Sequence, residues 1–104
     1  MSNFTLRDLE KRVHERAKAS AHVSYTRRLL DQGVDQCAKK LGEEAIETVL
    51  AAVAEDRERL IAETADLIYH LLVVLAARGV AFADVEAELA RRTRQSGLEE
   101  KAGR

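Results

Sequence analysis

The sequence predicts an all-α fold, a helical bundle that is completed by dimerisation. It contains no proline and only five glycines, so the residues that usually end helices and form turns are scarce. No stretch alternates apolar and polar residues long enough to indicate a sheet. A chain of 104 residues, 46% hydrophobic and 34% charged, fits one globular domain, residues 1–104. A domain this small cannot easily cover a long apolar helix by itself, and for that reason we expect a dimer.

Capping residues predict the first two helices. Thr5 and Asp8 have the spacing of a capping box, so a first helix should begin after Thr5 and run to about Ala19. The short polar segment that follows breaks this helix. Ser24 is a good N-cap for a brief second helix, which Gly33 stops.

Three further helices follow from the same signals. The third is predicted over about Val34–Ala54, and Asp56 is a plausible cap for a fourth helix that reaches Arg78 and is ended by Gly79. The fifth covers "VAFADVEAELARRTRQ", residues 80–95. A Ser-Gly break and a short terminal turn come after it.

Composition excludes several classes of protein. A net charge of −1 gives no reason to expect nucleic acid or anionic lipid as a partner. The single Cys37 excludes an internal disulfide and suggests a reducing compartment, and we interpret it as a buried side chain on a helix. The N-terminus lacks the apolar stretch of a signal peptide. The longest apolar run, residues 67–77, is too short to span a bilayer. We therefore expect a soluble, cytoplasmic protein.

The third helix carries acids at the border of an apolar face. Lys40, Glu44 and Glu47 form a stripe at i, i+4 and i+7, with Glu44 nearest the apolar edge, whereas Glu43 points further toward solvent. The apolar face itself is predicted to be core and comprises Val34, Ala38, Leu41, Ala45, Val49, Ala52 and Val53.

The fourth helix offers a second pair of acids at its entry to the apolar segment. One side of it is formed by Arg59, Glu63, Asp66, His70, Val73 and Ala77. Since the segment beyond is apolar nearly all round, the helix should be buried, and ionised acids there need a compensating cation. If the two helices pack antiparallel, Glu44/Glu47 and Glu63/Asp66 converge. Oxygen ligands without paired His or Cys favour Mg²⁺ or Mn²⁺ over Zn²⁺.

A structural explanation competes with this one. Glu-rich helices with Lys neighbours usually form a solvated surface, and an EExxE string alone indicates no more than that. The second acidic pair, ahead of a buried helix, shifts the balance toward a site. His70 and Tyr69 are most simply explained as core side chains with a hydrogen bond each.

Four segments resemble a known family. EExxE followed by ExxD is the metal-binding signature of the all-α nucleotide pyrophosphatases. Within that superfamily, "SYTRRLL", "KKLGEEAIET", "ETADLIYHLLVVLAARG" and "QSGLEEKA" resemble the phosphoribosyl-ATP pyrophosphatases of histidine biosynthesis. The resemblance extends over nearly the whole chain from about Phe4, and the first and last segments are specific to this branch.

The resemblance implies a reaction and a set of residues. Members hydrolyse phosphoribosyl-ATP to phosphoribosyl-AMP and pyrophosphate with Mg²⁺, the second step of the pathway. It implies metal ligation by Glu44, Glu47, Glu63 and Asp66, and makes Glu43 and Glu47 the candidate catalytic acids. The residues it implies for substrate binding are Tyr25, Lys40, Arg91, Arg92, Ser96 and Lys101.

One position departs from the family pattern. Many members have Gly before "QSGL", where this chain has Arg94, so the role of the C-terminal segment is open. Two alternatives also stay open at this point. One is a house-cleaning nucleoside triphosphate pyrophosphatase, which shares the acids but not the "SYT" and "SGLEEKA" segments. The other is a helical dimer module without enzymatic activity.

Overall fold

A computed structural model describes residues 3–94, and over this range it contains helices and no strand. The prediction of an all-α fold is confirmed. The five helices are α1 (Leu6–Ala17), α2 (Tyr25–Asp31), α3 (Val34–Ala54), α4 (Arg57–Ala77) and α5 (Phe82–Arg92).

The helices begin where the capping residues predict. Thr5 and Asp8 form a complete capping box, in which the Asp8 N–H donates to Thr5 Oγ1 at 3.2 Å and the Thr5 N–H donates to Asp8 Oδ2 at 2.9 Å. Ser24 and Asp56 cap α2 and α4, each accepting the backbone N–H three residues further on. These side chains fix the start of each helix.

Glycines mark the ends of two helices. Gly33 follows α2 with φ of 94°, and Gly79 follows α4 with φ of 67°, both in the left-handed region that other residues rarely adopt. The fifth helix is shorter than predicted. It begins at Phe82 and ends at Arg92, with Thr93 at its C-cap.

An antiparallel pair of long helices forms the centre of the fold. α3 and α4 have 21 residues each, are joined only by Glu55 and Asp56, and share the largest helix–helix interface. Cys37 is 1% exposed and its thiol donates to the Leu29 carbonyl oxygen at 3.2 Å, so the expected burial of this cysteine is confirmed. The core cluster comprises Val13, Leu29, Cys37, Leu72, Val73 and Phe82.

The predicted core face of α3 is wrong for this chain. None of its seven residues is buried, and Val49 and Val53 are 61% and 82% exposed. The residues of α3 that are buried are instead Cys37, Glu44 and Ala51. A helical projection identifies an apolar face but not what covers it, and within residues 3–94 five of the seven side chains on this face stay exposed.

The predicted burial of α4 on every side is also only partly met. Leu72 and Val73 are in the core, whereas Leu71 is 38% exposed. By length and hydropathy, α4 as a whole, with its 21 residues, is the one helix in residues 3–94 that could cross a membrane, although the apolar run of residues 67–77 covers only part of it. Core helices of soluble proteins meet the same criteria, and α4 carries three acids, of which Glu63 and Asp66 lie in the interior of the helix and would be costly in a bilayer.

Candidate acidic site

Three carboxylates from the two long helices meet at one point. Glu44 of α3 and Glu63 and Asp66 of α4 each place a carboxylate oxygen within 4.8 Å of the other two. Glu44 is 7% exposed and Glu63 is 5% exposed, whereas Asp66 is open to solvent. The cluster is therefore buried at its base and accessible on the Asp66 side.

Glu47 completes the group of four acids. Its carboxyl lies against those of Glu44 and Glu63. Burial is the main cause that raises the pKa of Glu44, followed by a hydrogen bond with Glu47. For Glu63 the order is reversed, and the hydrogen bond with Glu47 contributes most to raising the pKa. Carboxyls this close disfavour one another's ionised form.

Two cations partly compensate the acids. Arg59 Nη2 donates to Glu63 Oε1 at 2.8 Å, and Lys40 Nζ lies 3.9 Å from Glu44 Oε1. The second oxygen of Glu44, Oε2, is buried and has no hydrogen-bond partner within residues 3–94. A buried acceptor without a donor is rare in folded proteins, so this atom indicates room for a further positive group. Four carboxylates and no sulfur ligand would suit a hard divalent cation.

Arg59 is a site residue that the sequence reasoning did not single out. It lies on the predicted stripe of α4, four residues before Glu63, a spacing that brings the two side chains together on a helix. That spacing could have identified it. Arg59 also contacts Glu55 Oε1 at 3.3 Å, so it ties the end of α3 to the acidic cluster.

His70 lies directly behind the cluster. It is 6% exposed, and its Nδ1–H donates to the Asp66 carbonyl oxygen at 2.8 Å, an assignment that follows because a carbonyl can only accept. Its ring meets the Tyr69 ring edge to face, with 4.9 Å between the two ring centroids. The Tyr69 hydroxyl lies 2.6 Å from Thr26 Oγ1. His70 and Tyr69 are therefore both hydrogen-bonded core side chains, as expected.

Tyr25 and Lys40 share one side of the cluster. Tyr25 is half exposed. Its ring stacks on that of Tyr69 with 6.5 Å between the ring centroids, and its centroid lies 6.4 Å from that of the His70 ring. The electrostatic interaction with Tyr25 contributes most to raising the pKa of Lys40, ahead of the interactions with Glu43 and Glu44. A pocket of about 580 Å³ opens beside Tyr25 and is lined by Arg16, Ala19, Val23, Ser24, Tyr25, Thr26 and Tyr69.

The other predicted site residues lie elsewhere. Glu43 is exposed and its Oε1 is 3.6 Å from Lys40 Nζ, outside the group of four acids. Arg91 and Arg92 lie in the last turn of α5, where both contact Glu88 and lower the pKa of its carboxyl to about 2. Two predicted residues, Ser96 and Lys101, lie outside the described residues, as does the Ser-Gly break.

The helical fold and the site define an all-α protein with a carboxylate-rich centre of the kind that binds hard cations. The sequence profile of phosphoribosyl-ATP pyrophosphohydrolase matches residues 6–93. The chain belongs to this family. It is accordingly an enzyme of the hydrolase class, which agrees with the resemblance of its motifs.

Relatives match over the full length. A protein of Azorhizobium caulinodans named phosphoribosyl-ATP pyrophosphatase is 64% identical over 100 residues, covering 96% of this chain and 92% of the relative. One of Bradyrhizobium diazoefficiens named phosphoribosyl-ATP pyrophosphatase 1 is 59% identical over 104 residues, covering 100% of this chain and 98% of the relative. A protein of Nitrobacter hamburgensis named phosphoribosyl-ATP pyrophosphatase is 58% identical over 104 residues, covering 100% of this chain and 97% of the relative.

Proposed function

We propose that this chain hydrolyses phosphoribosyl-ATP to phosphoribosyl-AMP and pyrophosphate, the second step of histidine biosynthesis, in the cytoplasm. The observation that carries the proposal is the meeting of Glu44, Glu63 and Asp66, with Glu47 against them, inside the segment matched by the family profile. The names of the relatives support the choice of substrate. Their biosynthetic role also favours a soluble protein over one that places α4 in a membrane.

The acids fit a divalent cation, and we propose Mg²⁺, with Mn²⁺ as a substitute. Glu44, Glu47, Glu63 and Asp66 would hold it. The unpartnered Glu44 Oε2 supports this assignment, because a buried carboxylate oxygen without a donor is satisfied by a cation. When bound, the cation would supply charge neutralisation for the phosphate oxygens and a lowered pKa for a bound water.

The protein's own residues would bind the substrate and accept the proton. Lys40, whose pKa is raised by its neighbours, stays protonated and offers a point charge to a phosphate. Tyr25 lies near Lys40 and lines the pocket. Of the two candidate catalytic acids, Glu47 is in contact with the cluster, whereas Glu43 is turned toward Lys40, and this favours Glu47 as the group that accepts a proton from the attacking water.

We further propose that the protein is a homodimer. The uncovered face of α3 and the neighbouring part of α4 expose large apolar side chains, and contiguous apolar patches on soluble proteins usually mark an interface. A second copy of the chain would bury them, as in four-helix bundles built from two hairpins. The exposed residues are Ile46, Val49, Leu50, Val53 and Ile61.

A substrate comparison tests the activity. Pyrophosphate release is measured with phosphoribosyl-ATP and, separately, with a panel of ordinary nucleoside triphosphates, in the presence of Mg²⁺ and of a chelator. We expect Mg²⁺-dependent release from phosphoribosyl-ATP and little from the panel. Preference for the triphosphates would identify a house-cleaning pyrophosphatase instead. No release from any substrate would favour a helical dimer module.

A further inference from the structure

The Thr48 side chain joins the two helices at the level of the acids. Its Oγ1 lies 2.8 Å from the Glu44 carbonyl oxygen on α3 and 3.1 Å from the Glu63 carbonyl oxygen on α4. Glu44 and Glu63 are also the two buried acids of the cluster. One hydroxyl therefore touches the main chain at both buried carboxylates, and we refer to this pair of contacts as the Thr48 bridge.

Only one of the two contacts is ordinary. Thr and Ser inside helices commonly donate to the carbonyl four residues earlier, and the contact with Glu44 is of this type. The contact with Glu63 is different, because it crosses to the neighbouring helix. A second threonine shows the contrast, since the Thr64 hydroxyl donates to the Leu60 carbonyl oxygen within α4 at 2.6 Å and, among residues 3–94, forms no hydrogen bond to α3.

Repulsion between the acids makes such a contact useful. Glu44 and Glu63 have carboxylate oxygens within 4.8 Å of each other and Glu47 interacts with both, and like charges this close push the two helices apart. A hydroxyl has one hydrogen, so the bridge shares it between two acceptors that are already part of the helical backbone. It resists separation and sliding of α3 against α4 at that level.

We propose that Thr48 is a positioning residue for the acidic site, holding the carboxylates of α3 and α4 at the spacing that a divalent cation requires. The inference rests on the proposed function, since that function assigns the cation. Groups that orient metal ligands typically contribute about 10- to 100-fold to metal affinity, although they do not touch the metal themselves.

The test compares three variants of the full chain. Thr48→Val removes the hydroxyl with nearly the same shape, Thr48→Ser keeps it, and Thr64→Val removes a hydroxyl that is bonded within one helix. Mn²⁺ binding is measured without substrate by electron paramagnetic resonance, and thermal unfolding is followed in chelator. We expect the Mn²⁺ dissociation constant of Thr48→Val to rise by about tenfold. Thr48→Ser and Thr64→Val should bind Mn²⁺ like the wild type.

The outcomes are distinct from those of the activity test. Equal Mn²⁺ affinity for Thr48→Val and the wild type would overturn the inference even if phosphoribosyl-ATP is hydrolysed. A weakened Thr48→Val together with an inactive wild type would leave the positioning role standing and reject the proposed reaction. The inference would also be overturned if Thr48→Val and Thr64→Val lost Mn²⁺ affinity equally. A wild type that binds no Mn²⁺ would overturn it as well. If Thr48→Val does not fold, Thr48→Ala, which also removes the hydroxyl, takes its place, and Mn²⁺ affinity equal to that of the wild type would likewise overturn the inference.

Discussion

Glu44 shows how one side chain can serve a site at the expense of the fold. It is buried, one of its oxygens has no partner within residues 3–94, and burial together with Glu47 raises its pKa. Without a cation, ionised Glu44 is desolvated and repelled, so it destabilises the folded chain. Such local cost is typical of residues placed for function rather than for stability.

The metal-free protein should become more stable as the pH falls toward 4.5. The folded-state pKa values of Glu44 and Glu63 lie above the ordinary value of 4.5, so in the window between that value and the raised values the folded chain binds more protons than the unfolded chain. Stability is therefore lost as the pH rises through the raised pKa values. Melting temperatures measured in chelator between pH 5 and pH 7 check this.

Glu44→Gln isolates the effect of one acid. We expect this variant to melt a few degrees above the wild type at pH 7, about the shift that 1 kcal/mol gives in a domain of this size, and to vary less with pH. Glu58→Gln, which changes an exposed residue of α4, serves as the control and should follow the wild type. A Glu44→Gln variant that melts below the wild type at pH 7 would contradict the prediction.

Glu47→Gln and Asp66→Asn should abolish turnover while the fold stays intact. Each replacement removes one of several repelling charges, so the folded state is not weakened, but each also removes a proposed ligand. We expect turnover with Mg²⁺ to fall by about 1000-fold, the order seen when a preorganised electrostatic group is lost. Steady-state kinetics and circular dichroism check both halves. Full activity in either variant would refute the site assignment.

The helices themselves could be predicted from local sequence. Thr5, Ser24 and Asp56 satisfy the first backbone donors of α1, α2 and α4, and Gly33 and Gly79 supply the conformations that end α2 and α4. Each of these signals acts within a few residues along the chain. Helix boundaries depend on just such local interactions, so they could be read without knowing the fold.

Contacts between helices could not be predicted in the same way. The acids of the site were found because their i, i+3 spacing fixes the face they share. The Thr48 bridge was missed because its contact with Glu63 depends on how far α3 is shifted along α4, which no spacing within one helix reveals. The apolar face of α3 was found, but its burial was wrongly predicted, because helical periodicity does not tell a chain's own core from a surface for another molecule.

Charges on the uncovered face of α3 should separate the dimer. Val49 and Val53 lie one turn apart, and replacing both with Asp would bury two carboxylates in the proposed interface. We expect Val49→Asp/Val53→Asp to sediment as a monomer at micromolar concentration while the wild type sediments as a dimer. Val23→Asp is the matched control, since Val23 is as exposed as Val53, at 82%, but lies in the α1–α2 loop. A wild-type monomer, or a dimeric double variant, would contradict the proposal.

At the scale of the whole molecule, positive and negative charges nearly cancel, with 17 Lys and Arg against 18 Asp and Glu. Local separation of charge matters more than the total, because the proposed substrate is a polyanion that would have to approach an acidic cluster. Lys40 and Arg59 lie at the cluster, and further cations lie toward the C-terminus of the sequence. The resemblance to the family assigns part of substrate binding to that segment.

Removal of the residues after Thr93 should affect catalysis more than folding. The five helices end by Arg92, so the truncated chain keeps every described helix, whereas it loses Arg94, Ser96 and Lys101. We expect a higher KM for phosphoribosyl-ATP or a lower kcat, with helix content and melting temperature nearly unchanged. Parallel loss of stability and activity would mean that the segment is structural. Unchanged kinetics would mean that it takes no part in the reaction.

The two-residue connection between α3 and α4 has a consequence for the order in which the molecule forms. All four acids lie between Glu44 and Asp66, on either side of Glu55 and Asp56, so they are brought together by contacts between chain neighbours. Pairings that close short loops lose little chain entropy and form early in folding. We therefore expect the four acids to meet while the hairpin closes, before α1 and α5 dock, so that the acidic cluster is among the first tertiary contacts that the nascent protein forms.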